Sequence, residues 1–227
     1  MIDLMTVSSG VNAATAAEFN TYMKRYPQLY RSMAAWVQQY MTYPTPVILD
    51  IGSGTGLLSL ELRRVYPMAT LLCLDPLRTM LRLAEENIRE ATVESLHLSQ
   101  GVSEALPIQS ATMDAVVSRF SLPYWTQPTA SFQEIHRVLK PGGVVVLEGL
   151  NKNYPKWRLT ALKVLMRLRT ATPSVITYHL DAYKIAHTRT WVEDLFATSG
   201  FQILDTEGKP KDWRFLVIAQ KKESTLL

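Results

Sequence analysis

Cysteine is almost missing from this 227-residue chain, which carries only Cys73. A single thiol cannot form an intrachain disulfide, and structural zinc sites use several Cys or His residues at short spacing. We therefore expect no disulfide, no metal site, and a reducing, cytoplasmic environment.

Long apolar runs are missing as well, since none approaches 18 residues. We expect no membrane span, and no signal peptide, because no basic stretch precedes an apolar one after Met1.

A large excess of charge is also missing, because the net charge is only +4. Such a mild excess does not by itself indicate nucleic-acid binding. The cations are unevenly placed, however: residues 151–190 carry eight Lys or Arg against one acid, Asp181. We expect no nucleic-acid partner, because residues 118–124 contain no Asn-Pro-Pro-Tyr-like segment that would handle a base. Contact between the basic segment and phosphates stays the weaker alternative.

Short apolar runs alternate with segments of helical spacing along the middle of the chain. The runs are Val47–Ile51, Thr70–Leu74, Glu94–Leu98, Asp114–Ser118 and Val144–Leu147. Strands buried on both faces read as such runs, and repeated strand–helix–strand units form right-handed parallel crossovers. The pattern predicts an α/β fold with a doubly wound, mostly parallel sheet. Phe201–Asp205 and Arg214–Gln220 flank a turn that suits a hairpin, so the last strand is predicted to be antiparallel.

A single domain in four parts is predicted over residues 1–227. An N-terminal helical cap covers 1–44, a central core 45–150, a helical lid insertion 151–187, and the completion of the core 188–220. In the last part, Thr190 and Glu193 have the spacing of a capping box at a helix start, and Gly200 follows the helix end.

Three alternating glycines follow the first predicted strand, at Gly52, Gly54 and Gly56. Glycine is needed where the backbone turns tightly against a ligand. A dinucleotide fingerprint would place a further glycine at the sixth position, where this chain has Leu57. Asp50 adds negative charge just before the loop, where a phosphate would be unwelcome. The loop therefore favours a cationic ligand over a diphosphate.

Asp75 ends the second predicted strand. A carboxylate there can accept both hydroxyls of a ribose, since ligands of open α/β sheets lie outside the carboxyl ends of the strands. The alternative is that Asp75 only caps the helix that starts near Leu77. We favour the ribose role.

Together these segments resemble the class I S-adenosylmethionine-dependent methyltransferases, within them the small-molecule branch around ubiquinone/menaquinone biosynthesis C-methyltransferases. The resemblance covers roughly residues 45–150 and the helix and turn at 191–201. It rests on four segments: Leu49–Gly56, Leu74–Pro76, Gln100–Pro107 and Arg137–Gly143. It implies a seven-stranded, Rossmann-like sheet whose last strand is antiparallel, with S-adenosylmethionine as the cofactor.

The resemblance also implies which residues bind the cofactor. Around the methionine end it places Asp50, Gly52, Ser53, Gly54 and Arg119; at the ribose, Asp75; near the adenine, Pro76, Met80, Val102, Ser103 and Glu104. Val102 departs from the family, which often has an aspartate there to accept from the adenine amino group. Backbone groups near Ser103, or the Glu104 carboxylate, are the alternatives for that contact.

The implied activity is methyl transfer to a small acceptor, apolar or aromatic. Such a displacement needs alignment and exclusion of water more than a catalytic dyad, so no catalytic residue is assigned. The candidates for the acceptor pocket are Tyr26, Tyr30, Tyr124, Glu148 and His179. Two other functions stay open: a protein of this fold that binds cofactor without methylating, and a NAD-type oxidoreductase.

The stretch 156–169 has the pattern of a helix with two apolar faces separated by basic residues. One face carries Trp157, Ala161, Val164, Leu165 and Leu168, and the other Leu159, Leu162 and Met166. Such a helix needs two burial partners. One is the sheet domain, and the other could be a hydrophobic substrate, a second subunit in a homodimer, or a membrane surface. An ordinary lid helix with solvated Lys and Arg remains the simplest interpretation.

Overall fold

The computed structural model describes residues 12–93 and 96–222. The first eleven residues of the predicted cap, and Glu94 and Ser95 at the start of the predicted third strand, lie outside this range. The helices are α1 Ala13–Met23, α2 Pro27–Tyr40, α3 Leu57–Val65, α4 Arg78–Glu90, α5 Pro128–Val138, α6 Lys156–Leu168, α7 Pro173–Lys184 and α8 Arg189–Thr198. The strands are β1 Val47–Ile51, β2 Thr70–Asp75, β3 Leu96–Gln100, β4 Met113–Arg119, β5 Leu139–Leu150, β6 Phe201–Glu207 and β7 Arg214–Lys221.

The strands form one seven-stranded sheet in the order β3-β2-β1-β4-β5-β7-β6. β1 to β5 pair in parallel, and β7 runs antiparallel to both β5 and β6. The predicted doubly wound sheet with an antiparallel last strand is confirmed. The division of the chain into one domain of four parts stays a prediction.

Two apolar layers cover the two faces of the sheet, because neighbouring strand residues point to opposite sides. Leu49 and Val116 pack on one side, while Ile48 and Val117 pack on the other. All four side chains are fully buried. Burial on both faces explains why these strands read as continuous apolar runs.

The N-terminal helices are joined to the sheet domain through a reciprocal pair of buried amides. Asn20 on α1 donates to Asn87 Oδ1 on α4 at 3.2 Å, and Asn87 donates back to Asn20 Oδ1 at 2.9 Å. Asn87 also donates to the carbonyl of Thr55 at 2.8 Å. The pair therefore fixes the cap against the end of the glycine loop.

Two details of the sequence-based prediction are corrected. The residue that caps α8 is Thr188, whose side chain accepts from Trp191 N, and Glu193 pairs with Arg189 instead of closing a capping box at Thr190. Pro141-Gly142-Gly143, a pattern that also predicts a tight turn before the strand Val144–Leu147, lies within β5 at an irregularity between Leu139 and Val144 in its pairing with β4. Thr is a favoured N-cap residue, so Thr188 and Thr190 both suit the start of α8, and Thr188 occupies the cap.

Candidate active site

A cavity of about 490 Å³ opens at the carboxyl ends of the central strands. β1 lies between β2 and β4, so the order of the strands in the sheet reverses at this point. Ligands in open α/β sheets bind at such a switch point. The cap and the lid insertion close the cavity from above, since Tyr26 from the cap and Tyr178 from the lid both line it.

The glycine loop forms the floor of this cavity. Gly52, Gly54 and Gly56 all have positive φ, at 69°, 55° and 76°. A Cβ on Gly52 would lie 2.2 Å from Ser121 Cβ, whereas a Cβ on Gly54 would meet nothing within 4 Å. Gly52 is therefore needed for packing, and Gly54 leaves bare backbone facing open space.

Asp50 and Asp75 both line the cavity and both are buried. Asp50 Oδ2 accepts from Ser59 Oγ at 2.6 Å. Burial raises the pKa of Asp50 to about 7, although the Ser59 hydrogen bond opposes the rise and the nearby Asp75 charge adds to it. Ionising Asp50 therefore costs free energy when no ligand is bound in the cavity. A cation bound beside the carboxylate would offset that cost.

The Asp75 carboxylate is shared between the glycine loop and the next helix. Its Oδ2 accepts from Gly54 N and its Oδ1 from Leu77 N, both at 2.9 Å. Burial raises the pKa of Asp75 to about 6 against these two hydrogen bonds. A carboxylate oxygen can accept more than one hydrogen bond, so the helix-capping contact leaves room for a ligand hydroxyl.

Arg119 ends β4 and lies between two aromatic rings, 4.8 Å from the Tyr30 centroid and 4.2 Å from the Phe120 centroid. Its Nε is 2.5 Å from Glu148 Oε2, and both side chains are buried. Within residues 12–93 and 96–222, its Nη2 is a buried donor that has no hydrogen-bond partner. Because Arg119 lines the cavity, this donor is available to an anionic group of a ligand.

Glu148 is the one predicted pocket residue that does not line the cavity. It faces Arg119 across the β4–β5 pairing, and its Oε1 lies 2.7 Å from Arg214 Nη1. The Glu148 carboxylate pairs with both Arg119 and Arg214. Glu148 is therefore a buried counterion behind Arg119.

The predicted adenine region lines the same cavity, but its polar side chains are already engaged. Glu104 Oε1 accepts from Thr126 N at 2.6 Å and from Gln127 N at 3.1 Å. Burial raises the pKa of Glu104, but these hydrogen bonds outweigh it and leave the pKa below its ordinary value. Ser103 Oγ is within 2.8 Å of Ser131 Oγ. The Glu104 carboxylate serves the start of α5, which favours backbone groups as the adenine contact.

Another part of the cavity lining is aromatic and apolar. Phe120, Tyr124, Leu162 and Trp213 line it and pack in one cluster. Tyr178 stacks on Tyr124, with ring centroids 6.0 Å apart and planes at 8°, and packs with Met80 of the predicted adenine region. His179 also lines the cavity, and burial, with the nearby Arg119 charge, lowers its pKa to about 4. His179 is therefore a neutral imidazole at neutral pH. Among the described residues, no group of three or more His, Cys, Asp or Glu has a geometry that could hold a metal ion.

Ser121 and Tyr178 are two of the lining residues that the sequence did not predict. Ser121 connects three parts of the site: its Oγ donates to Ile51 O at 3.1 Å, accepts from Trp125 Nε1 at 3.2 Å, and packs against Gly52. Tyr178 was hidden in the lid insertion, where no family residue could be carried over. The contacts of Ser121 with Ile51 and Gly52, and that of Tyr178 with Tyr124, join segments that are distant in sequence, so local spacing does not predict them.

Comparison with known proteins favours an S-adenosylmethionine-dependent methyltransferase over a NAD-type oxidoreductase. A family model described as a methyltransferase domain matches residues 49–147. This range, which is less than half of the chain, is therefore similar to methyltransferase domains. The matched range contains the glycine loop, Asp75, the adenine region and Arg119, so the predicted resemblance to S-adenosylmethionine-dependent methyltransferases is confirmed.

Relatives and solved structures agree with this domain. A ubiquinone/menaquinone biosynthesis C-methyltransferase of Blochmanniella floridana is 33% identical over 113 residues, which are 49% of this chain and 44% of that protein. A malonyl-[acyl-carrier protein] O-methyltransferase of Marinomonas sp. is 35% identical over 107 residues, 47% of this chain and 38% of that protein. The matched part of the chain thus spans less than half the length of either relative.

A solved structure from Methanococcus maripaludis, described as a putative S-adenosyl-L-methionine-dependent methyltransferase, superposes over most of the chain. Its TM-score is 0.72 at 22% identity, covering 95% of this chain and 96% of that one. The likeness confirms the predicted Rossmann-like methyltransferase fold.

The polar groups that line the cavity suit the charged and hydrogen-bonding groups of S-adenosylmethionine. Ser53 Oγ and Arg119 Nη2 are both buried without a hydrogen-bond partner among the described residues, and Gly54 offers bare backbone. S-adenosylmethionine carries an amino group, a carboxylate, a sulfonium and a ribose. Asp50 suits the cationic groups, Arg119 the carboxylate and Asp75 the ribose hydroxyls.

Proposed function

We propose that the chain uses S-adenosylmethionine to methylate a small, mostly apolar or aromatic acceptor held beneath the lid. The observation that carries the proposal is the mixed lining of the cavity. One part of the lining presents the glycine loop with two buried carboxylates, and another presents aromatic rings and the inner side of α6. A polar cofactor and an apolar acceptor would therefore meet inside one enclosed space.

The cofactor would supply an activated methyl group on its sulfonium. The residues of the chain then have three tasks, which are binding, orientation and exclusion of water. Asp50 and Arg119 bind opposite charges of the amino-acid end, and Asp75 orients the ribose. Leu162 and Met166 from α6, with Tyr124, line the acceptor end and exclude water.

We assign no general base, because the acceptor atom decides whether one is needed. The neutral imidazole of His179 and the hydroxyls of Tyr124 and Tyr178 are titratable groups that line the cavity beneath the lid. Burial raises the pKa of both tyrosines, so their hydroxyls stay protonated at neutral pH. These groups suit hydrogen bonding to an acceptor oxygen more than removal of its proton.

The relatives suggest which acceptors to try first. One is named for quinone biosynthesis and another for an acyl carrier protein substrate. We would incubate the purified chain with S-adenosylmethionine and phenols or quinols that carry apolar side chains, as well as carrier-bound acyl groups. Formation of S-adenosylhomocysteine that depends on the acceptor, followed by mass analysis of the product, would identify the methylated atom.

Calorimetric titration separates this function from its two alternatives. Tight binding of S-adenosylmethionine with acceptor-dependent turnover supports the proposal. Binding without turnover for every acceptor class would support a non-methylating role. Binding of NAD in place of S-adenosylmethionine would overturn both.

A further inference from the structure

The two apolar faces of α6 have different surroundings in the structure. On the inner face, Met166 is 3% exposed, and Leu162 and Met166 both line the cavity. Leu159 on the same face packs with Tyr183 of α7. This face is accounted for by the lid and the acceptor end of the cavity.

The outer face of α6 is bare. Trp157 is 68% exposed, Val164 53%, Leu165 42% and Leu168 76%. At 100° per residue these four side chains fall within an arc of about 100°. They are four of the nine large apolar side chains that are exposed in the described part of the chain. A contiguous exposed patch of this kind marks an interaction surface.

Basic residues flank this outer apolar face on both sides. Lys156, Lys163 and Arg167 lie along one edge, and Arg158 and Arg169 along the other. None of the five is in an ion pair with another described residue. An apolar stripe between two cationic edges is the pattern of a helix lying in the interface of an anionic bilayer.

A second cavity, of about 390 Å³, lies beside one basic edge, between α6 and α7. Its lysines are Lys152, Lys156, Lys163 and Lys184. Lys184 already pairs with Asp181 at 2.6 Å. Tyr183 also lines the cavity and is 5% exposed, and its hydroxyl lacks a hydrogen-bond partner among the described residues. Ammonium groups and a free hydroxyl suit the phosphate of a lipid headgroup.

We propose that the outer face of α6 docks on an anionic lipid bilayer, with its apolar stripe among the acyl chains and its basic edges on the headgroups. A second copy of this chain fits the surface less well. A two-fold contact would bring the same five cations of each copy together, with no acid on α6 to balance them. None of the described helices is long and apolar enough to cross a membrane, so the contact is peripheral.

The position of α6 gives the docking a consequence that rests on the proposed function. Its outer face meets the bilayer, while its inner face lines the acceptor end of the cavity. An apolar acceptor dissolved in the bilayer would therefore have only the thickness of one helix to pass before reaching the cavity.

The test is cosedimentation of the full chain with vesicles, which needs neither cofactor nor acceptor. Binding is expected to vesicles of phosphatidylcholine with 30% phosphatidylglycerol and to be much weaker with phosphatidylcholine alone. Lys163→Gln with Arg167→Gln should lower the partition coefficient about 25-fold, at about fivefold for each cation removed. Leu168→Ser should lower it about tenfold through the lost apolar burial. The matched control is Met68→Ser, which removes a side chain that is 74% exposed elsewhere and should change nothing.

A blue shift of Trp157 fluorescence on adding the anionic vesicles, absent in Trp157→Phe, would place the helix in the apolar layer. Equal binding to neutral and anionic vesicles, or no effect of the α6 variants, would overturn the proposal. So would a dimer in sedimentation velocity that the α6 variants dissociate, because a second copy would then cover the face. Calorimetric titration of each variant with S-adenosylmethionine measures cofactor affinity separately. A variant that loses vesicle binding and keeps its cofactor affinity therefore tests the docking surface and not the proposed function.

Discussion

The ionisation of Asp50 makes the sharpest prediction, because the structure gives both the direction and the size of the shift in its pKa. Burial raises the pKa of Asp50 to about 7 in the ligand-free chain. About nine-tenths of the molecules therefore carry this charge at pH 8, and about one-tenth at pH 6. If a cationic group of the cofactor requires the charged form, the Kd for S-adenosylmethionine should rise about tenfold between pH 8 and pH 6. Asp75, whose pKa is raised to about 6, should add about a further twofold.

The effect on stability has the opposite sign. A carboxyl whose folded pKa is raised binds more protons in the folded state, so the unbound chain loses stability as pH rises from about 4 to about 7. The gain in Tm at saturating cofactor should therefore grow with pH over the window in which Tm of the unbound chain falls. Thermal shift curves with and without cofactor measure both trends.

Asp50→Asn is the variant that isolates this charge, and Asp194→Asn on α8 is the matched control. The amino group of the ligand also titrates near pH 8, so the informative quantity is the ratio of variant Kd to wild-type Kd. That ratio should be large at pH 8 and shrink about tenfold by pH 6. A ratio that stays constant across the window would refute the electrostatic role of Asp50.

Three substitutions test other contacts of the site. Gly52→Ala should abolish cofactor binding in calorimetry, because its Cβ would lie 2.2 Å from Ser121 Cβ at a φ of 69°, and an unchanged Kd would contradict the close approach. Arg119→Met should weaken cofactor binding and cost about 3–5 kcal/mol in urea unfolding, because it leaves the buried Glu148 with one partner, and an unaltered midpoint would count against the buried pair. Asn87→Ala should cost about 2 kcal/mol by leaving the Thr55 carbonyl without its donor, with Asn87→Asp as the comparison in the same denaturation assay.

The fold was predictable from the sequence because its signals are local. Continuous apolar runs such as β1 arise from burial on both faces, and the glycine spacing arises from backbone that must turn with positive φ. Each signal is contained within ten residues, so no tertiary information is needed to read it. The same holds for Asp50 and Asp75, which lie at the carboxyl ends of β1 and β2, since parallel strands bring these ends to one edge of the sheet.

Partners that are distant in sequence could not be predicted. Glu148 follows the predicted strand Val144–Leu147 as a site residue would, yet it lies within β5, and Arg214 from the antiparallel strand pairs with its second oxygen and makes it a counterion. Glu104 has the position of an adenine contact, but its carboxylate accepts hydrogen bonds from Thr126 N and Gln127 N. A single side chain can serve only one such set of partners, and the packing of distant segments selects which.

The sequence by itself determined the sheet, the glycine loop and the two apolar faces of α6, because periodicity and backbone conformation are properties of neighbouring residues. Only the tertiary structure decided which face of α6 lines the cavity and which is left bare, and which carboxylate remains free for a ligand. Burial and pairing depend on segments more than a hundred residues apart, such as Arg25 with Thr170. Those contacts exist only after the chain has closed around its core.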